Sequence, residues 1–287
     1  MFAHIAALLS AAEHDPRVAS RNAAIQALRQ LGLDDFGQVL LAMPHADFPK
    51  LSALLPAMAS PDVQMQWTGN HGEVLLRQSC NFIRSLVYNH ALVSGAVATR
   101  LRVLDYGCGY GRLARLMYYF VDPEDLHGVD PWHRSIEECA AAGLGPNFTL
   151  SAYLPRSLPV SGSFELAYAF SVFTHLSEHA ARLALAAIRA RLATGGVLAI
   201  TIRPPEYWSL DVSGAGPEDR ARMRVLHDTD GFAFHPHDLP PVEGELTYGD
   251  TSMTLDWLAR AAPGYAIRRI DRSLEDPYQL YVFMQAT

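Results

Sequence analysis

Apolar positions in the first 66 residues recur at helical spacing between prolines. Pro16, Pro44, Pro49, Pro56 and Pro61 cut this Ala/Leu-rich stretch, which predicts short helices joined by proline turns. A loop at 67–72 then leads into a long amphipathic helix over about Glu73–Val93, with Val74, Leu75, Phe82, Ile83, Leu86 and Val87 on its apolar face. From residue 101 the pattern changes. Short apolar runs at Leu101–Tyr106, Leu126–Asp130, Asn147–Ser151, Phe164–Phe170 and Val197–Ile202 alternate with helical segments. Those segments cover about Arg112–Phe120, Arg134–Ala142 and Glu178–Leu192, with glycine stops at Gly143 and Gly195-Gly196. Such alternation predicts right-handed βαβ units and a buried parallel sheet. Residues 204–250, rich in Pro, Gly, His and aromatics, interrupt it, with one short helix expected near Pro217–Leu226. A last helix (about Thr254–Ala262) precedes strands Tyr265–Arg272 and Gln279–Gln285, joined at Glu275-Asp276-Pro277 and so antiparallel.

One junction in this pattern carries chemistry. Residues 101–116 read LRVLDYGCGYGRLARL: an apolar strand ends at Asp105, and glycines follow at 107, 109 and 111 before a helix. A strand that turns this tightly into a helix brings bare backbone to one point, a place for a nucleotide-like ligand. The spacing is D-x-G-x-G-x-G rather than the dinucleotide G-x-G-x-x-G. A carboxylate beside the loop repels a pyrophosphate but attracts an ammonium or a sulfonium. S-adenosylmethionine (SAM) has both cations and no phosphate. The next strand ends in Asp130, where α/β nucleotide folds hold ribose hydroxyls.

The stretches VLDYGCGYGRLARL (103–116), HGVDPW (127–132), SFELAYAFSVFTHLSEH (163–179) and LATGGVLAITI (192–202) follow one another as in the class I SAM-dependent methyltransferases, which the chain resembles. YAIRRIDRS…QLYVFMQAT (265–287) resembles that family's closing strand pair. The resemblance implies an α/β, Rossmann-like seven-stranded sheet with a terminal antiparallel hairpin, preceded by an N-terminal helical cap. The expected division is a cap over 1–95 with a lid loop at 67–72, then a SAM-binding core over 96–287 with a substrate-side insertion at 204–250. The resemblance also implies residue roles. Asp105 faces the methionine ammonium, directly or through water. Gly107, Cys108, Gly109 and Gly111 form the cofactor loop. Asp130 binds the ribose, with Pro131 and Trp132 near the adenine. The acid that often reads the adenine amino group is missing, so a backbone amide or the Ser151 hydroxyl takes its place. Phe170 and Ser171 border the methyl group.

His175 is the candidate general base, because imidazole titrates near neutral pH; its alternative role is local packing. Trp67 and His71 are candidates for a lid over the cofactor. Tyr207, Trp208, His235, His237 and Tyr248 are candidates for the acceptor pocket. His227, Asp228, Asp230, His235, His237 and Asp238 lie close in sequence, but Pro236 separates two of the histidines, and substrate contact is preferred to a metal site. Ser171 and Arg203-Pro204 stand where metal-dependent relatives place acids, so no Mg²⁺ is expected.

The composition of 287 residues, 49% hydrophobic and 18% charged, is that of a globular protein with a sizeable core. A net charge of −7 disfavours a nucleic-acid surface. Three unpatterned cysteines read as reduced thiols in a cytoplasmic protein. No apolar run approaches the ~18 residues of a membrane span. The expected activity is methyl transfer from SAM to a small-molecule acceptor, oxygen first and nitrogen second, such as a sugar or natural-product intermediate. The alternatives are a SAM-binding module without chemistry, acting as partner or sensor, and, disfavoured by the glycine spacing, an NAD-dependent enzyme.

Overall fold

A computed structural model describes residues 2–95, 101–211 and 214–287. Helices α1 (Ala6–His14), α2 (Arg21–Leu28), α3 (Leu33–Leu41), α4 (Pro49–Leu54) and α5 (Pro61–Thr68) precede the long α6 (Gly72–Ser94). Ser20 and Ser60 side chains accept from backbone N–H groups at the starts of α2 and α5, and left-handed Gly69 and Gly95 end α5 and α6. Proline in the first turn of α4 and α5 costs no hydrogen bond, since N–H groups there have no helical partner. The expected 67–72 loop is thus shorter. Trp67 stands in the last turn of α5, and residues 69–71 alone join α5 to α6.

The alternating part follows as β1 (Val103–Tyr106), α7 (Arg112–Met117), β2 (Leu126–Asp130), α8 (His133–Ala141), β3 (Phe148–Leu150), β4 (Phe164–Ala169), α9 (Glu178–Arg189) and β5 (Leu192–Ile202). Next come α10 (Pro217–Asp230), β6 (Phe232–Pro236), β7 (Gly249–Met253), α11 (Leu255–Ala261), β8 (Tyr265–Arg272) and β9 (Leu280–Ala286). Seven strands form one sheet in the order β3-β2-β1-β4-β5-β9-β8. β9 runs antiparallel to β5 and to β8, as the closing hairpin requires. The strand order reverses between β1 and β4, which are parallel, and ligands of such sheets bind beyond the carboxyl ends at that reversal.

Two boundaries differ from expectation. α9 stops at Arg189, and β5 begins at Leu192 rather than Val197. The strand takes in Gly195-Gly196 through a register irregularity against β4, so this glycine pair bends a strand instead of ending a helix. α10 extends to Asp230, four residues beyond Leu226, and the left-handed Gly231 then ends it. The insertion is also more ordered than its composition implied: β6 and β7 pair antiparallel in a separate two-stranded sheet. The boundary expected at 95/96 adjoins residues 96–100, which lie outside the described residues, as do 212–213 of the insertion.

Side chains alternate across the main sheet. Val103, Leu166, Tyr168, Val197, Ala199, Tyr281 and Phe283 face α6, α7 and the N-terminal helices in one continuous core. Leu104, Ala167, Leu198, Ile200, Val282 and Met284 face α9 and α11 on the other side. Polar rivets tie the N-terminal helices to the sheet layer. Arg115, fully buried on α7, donates to the Ala57 carbonyl at 2.7 Å, and Tyr119 donates to the Leu31 carbonyl at 2.6 Å. Arg29 donates to the carbonyls of Tyr118 and Val121. Among the described residues no helix is long and apolar enough to cross a membrane.

Candidate active site

The turn after β1 is built by its own hydrogen bonds. The N–H groups of Gly107 and Cys108 both donate to the Val129 carbonyl, and Gly111 donates to Cys108. The Gly109 N–H donates to the Asp130 carboxylate at 2.9 Å. These donors are therefore used within the chain, unlike the free N–H groups that cradle a phosphate. Gly107, Gly109 and Gly111 all have left-handed backbone, with φ of 76°, 53° and 77°. A Cβ on Gly107 would come within 2.4 Å of Val172 Cγ2, and one on Gly111 within 2.1 Å of Leu144 Cδ1. The glycines are thus demanded by neighbouring side chains of this chain, not only by close approach of a ligand. The contact with Val172 also brings the turn after β4 against the turn after β1.

Asp105 lies inside the sheet rather than on the loop surface. Its carboxylate accepts a 2.9 Å hydrogen bond from the Tyr168 hydroxyl, and burial pushes it up to about 7, with Tyr168 opposing. A cation docking at the turn would draw it to the ionised form. The Cys108 thiol is also buried, its Cβ packed towards Gly128 of β2, so only the backbone of Cys108 belongs to the loop surface. Asp130 accepts from Gly109 N–H with one oxygen and from Trp132 N–H with the other, both at 2.9 Å. Burial raises its pKa, and these backbone hydrogen bonds oppose the rise. Just beyond β3, the Ser151 hydroxyl is buried without a hydrogen-bond partner, although its N–H donates to the Asp130 carbonyl. A carboxylate, an unpartnered hydroxyl and the partly exposed Trp132 ring at adjoining strand ends suit a nucleoside. Trp67 also belongs to this side. Its indole N–H donates to Ser135 at 3.0 Å, and its ring stacks on Trp132 with centroids 4.4 Å apart. His71 is exposed at the start of α6, and the structure does not bring it to either side of the site.

The second half lies at the carboxyl ends of β4 and β5. Ser171 has φ of 58°, uncommon for a residue with a side chain, and its N–H donates to Thr201 at 2.7 Å. The Phe170 ring packs into the core against Phe82, 4.6 Å between centroids, with Arg112 above it, so the expected border with the methyl group falls to its backbone. Beyond this turn a buried polar cluster gathers around Asp250 of β7. Arg203 forms an ion pair with Asp250, Tyr207 donates to it at 2.8 Å, and His237 Nε2–H donates at 3.0 Å. Burial alone would raise Asp250, but hydrogen bonding from His237 and the Arg203 charge outweigh it, so the carboxylate stays below its ordinary value. His237 thereby keeps its Nδ1 lone pair free of Asp250 while neutral.

His175 is held beside this cluster. Its Nδ1–H donates to the Gly249 carbonyl at 2.8 Å, and Tyr248 stacks on its ring at 5.0 Å and 7°. Burial and the adjacent Arg203 charge push it down to about 4. At neutral pH it is an uncharged ring whose Nε2 lone pair faces an Arg203 N–H at 3.4 Å. Tyr248 is partly exposed over His175. Trp208 departs from its expected role. It is buried in a small cluster with Met223 and Ala233, and its indole N–H is taken by Ser252, which also pairs with His227. His235 lies on β6 with Nδ1 buried and unpartnered.

Arg203 and Asp250 are the functional candidates that the sequence reading passed over. Arg203 figures in the sequence only as a basic residue where metal-dependent relatives place an acid, and Asp250 lies in the polar run Thr247-Tyr248-Gly249-Asp250-Thr251-Ser252. That run is buried apart from Tyr248, and a strand-length polar segment inside a fold marks a hydrogen-bonded site.

Residues 103–196 match the family model described as a methyltransferase domain. An S-adenosylmethionine-dependent methyltransferase from Clostridium acetobutylicum superposes with a TM-score of 0.51 at 12% identity, over 78% of this chain and 96% of that one. A second, from Mesorhizobium loti, gives 0.48 at 19% identity, over 72% and 97%. A magnesium protoporphyrin IX methyltransferase from Synechocystis with bound SAM gives 0.47 at 12%, over 90% and 98%. No curated protein matches in sequence.

Proposed function

We propose that this chain is a class I SAM-dependent methyltransferase, as its match to a methyltransferase-domain model over residues 103–196 supports, and that it methylates an oxygen of a small-molecule acceptor held between Tyr248, His237 and the turn after β4. The observation that carries the reading is the pairing of two unlike strand ends. At β1 and β2 a glycine turn spends the N–H groups of Gly107, Cys108, Gly109 and Gly111 on the chain's own oxygens, beside the acids Asp105 and Asp130, which disfavours a phosphate. Across the Val172 contact stands a polar cluster with two imidazoles.

Asp130, the glycine turn, Trp132 and Ser151 are the residues that would hold the cofactor, which supplies an already activated methyl group. Little chemistry is then left to the protein. Orientation of two reactants can be worth about 7–11 kcal/mol, so the rigid turn carrying Ser171 and Val172 has a direct role in setting the acceptor's approach. A hydroxyl acceptor must also lose a proton. His237 is the base in this reading: Asp250 fixes its tautomer with Nε2–H inward and stabilises the imidazolium that forms when Nδ1 takes the proton. His175 is a poorer base, since burial and Arg203 oppose its protonation, and its part is to seat Tyr248. A nitrogen acceptor, the second choice, would leave His237 a smaller role.

The test is a panel of phenols, sugar hydroxyls and amines incubated with the protein and methyl-labelled SAM, scored by S-adenosylhomocysteine (SAH) release. Oxygen acceptors that lose activity in His237→Asn are the expected result. Turnover of amines alone would remove the oxygen assignment.

A further inference from the structure

The hairpin that carries His237 and Tyr248 holds apolar side chains out to solvent where its own folding does not need them. At its root the His237 N–H donates to the Tyr248 carbonyl at 3.1 Å. At its tip Val242 and Glu245 exchange backbone hydrogen bonds of 2.8 and 2.9 Å, around a turn in which Glu243 and Gly244 both have positive φ. One edge is fastened to the segment entering α9. Ser177 N–H donates to the Thr247 carbonyl at 3.0 Å, and His179 donates to the Glu245 carboxylate at 2.7 Å. Backbone and ionic contacts thus shape the hairpin. Leu239 and Leu246 stand between its root and its tip, each about half exposed, and Pro240-Pro241 adds apolar surface beside them. Tyr248, also exposed over His175, continues this surface down to the acceptor cluster.

Single exposed leucines are ordinary on a protein surface. These two are not single. Leu239 is two residues from His237, and Leu246 is two residues from Tyr248, so at most about 7 Å of chain separates each from the acceptor wall. Charge argues in the same direction. Arg203 is paired with Asp250, and burial and Arg203 keep His175 neutral at neutral pH. Arg203 therefore offers no uncompensated charge to an anionic acceptor, and Asp238, Glu243 and Glu245 on the hairpin repel one. We infer that the 237–248 hairpin is a shelf for the non-reacting part of the acceptor, an uncharged alkyl or aryl body that lies on Tyr248, Leu239 and Leu246 while the hydroxyl meets His237. This rests on the reading of His237 and Tyr248 as the acceptor wall. The shelf makes the acceptor class a hydrophobic phenol or alcohol rather than a sugar or a charged metabolite. An apolar body removes the leucines from water, whereas a sugar ring laid on them buries hydroxyls without partners.

A chain-length series tests the shelf. Phenols with 4-methyl, 4-butyl and 4-hexyl substituents are methylated with labelled SAM. The same compounds are titrated into SAH-loaded protein by calorimetry, which needs no turnover. Full burial of one methylene is worth about fourfold, so a half-covered chain tightens Kd and raises kcat/KM about twofold per methylene, through KM. Leu239→Ser combined with Leu246→Ser flattens this rise, and Leu239→Met combined with Leu246→Met restores it. A carboxylate or a quaternary ammonium at the chain end removes most of the gain. A Kd that ignores chain length overturns the shelf, as do equal or tighter binding of the charged tails and a serine pair that keeps the slope. Absence of binding by both hexylphenol and hexylaniline also overturns it. Parallel 4-alkylanilines separate the two claims. Turnover of anilines alone, rising with chain length, removes the oxygen assignment and leaves the shelf. Phenol turnover without chain-length dependence removes the shelf and leaves the oxygen assignment.

Discussion

His175 gives the sharpest quantitative prediction, because its environment fixes its charge. Its ring is sandwiched between Tyr248 and the β7 backbone, with the Arg203 guanidinium facing Nε2. Burial, and then Arg203, push its pKa from 6.5 down to about 4. The unfolded chain holds the proton at the ordinary value, so between these two pH values the unfolded state binds more protons. Stability therefore rises with pH across that window and falls on acidification from 6.5 to about 4. The gap corresponds to about 3 kcal/mol, a substantial share of the ~5–15 kcal/mol that holds a typical domain folded.

His175→Asn tests this. The asparagine amide can still donate to the Gly249 carbonyl but cannot take up a proton. Urea unfolding at about pH 7 and about pH 4.5 measures both proteins. The wild type should lose about 2–3 kcal/mol more than the variant on acidification. His90, His127 and His227 are also pushed down by burial, but they titrate in both proteins and cancel in the difference. Asp250, held below its ordinary value, loses its contribution only at more acidic pH, as the pH falls through its folded pKa. Parallel pH profiles for the two proteins would refute a buried, neutral His175.

Further outcomes follow from the same contacts. Asp250→Asn leaves the mostly buried Arg203 without its counter-charge and should cost about 3–5 kcal/mol in urea unfolding, with much of it recovered when Arg203→Met is added; a loss under about 1 kcal/mol contradicts the cluster. Gly111→Ala meets both a left-handed φ of 77° and Leu144 at 2.1 Å. It should lower the thermal midpoint by an amount equivalent to about 2–4 kcal/mol, and an unchanged midpoint would show that the turn can relax. Asp130→Ala should weaken SAH binding at least about tenfold by calorimetry, since it removes a carboxylate at the nucleoside end, and unaltered affinity excludes a ribose contact.

The main sheet was legible because each of its strands leaves a separate trace. Short apolar runs, glycine and proline punctuation and the Glu275-Asp276-Pro277 turn are local signals, and six of the seven strands lie within two residues of where these signals put them, β5 alone beginning five residues early. The misses share one cause, which is tertiary context. Gly195-Gly196 reads as a helix stop on propensity alone, yet β4 beside it offers a register irregularity that draws the pair into β5. β7 carries no clear alternation, because most of the side chains it buries are polar. Thr251, Ser252 and Asp250 are among the most buried residues in the insertion, and each is hydrogen-bonded. Trp208 looks like a pocket aromatic in sequence and is core in the fold, since aromatic character cannot say which way a ring points.

The same contrast separates the two halves of the site. The donor half is specified by backbone: left-handed glycines, spent N–H groups and an acid at a strand end, all within a span of 30 residues, 101–130. Such a motif is compact and reads directly. The acceptor half joins His175, Arg203, Tyr207, His237, Tyr248 and Asp250, drawn from segments up to 75 residues apart. Each has value there only through its partners: Asp250 is ionised because His237 and Arg203 surround it, and His175 is neutral because it is buried and Arg203 faces it. No single residue of that set announces itself. Substituting any one should therefore alter the charge of the others, so acceptor preference and pH dependence should change together in variants of this cluster. SAH affinity should be nearly indifferent to the same variants, because the donor half meets the cluster mainly through Val172. A matched set of Arg203→Lys, His237→Asn and Tyr248→Phe, measured for SAH binding and for acceptor turnover against pH, separates these claims. Loss of SAH binding across the set would mean that the two halves are one network.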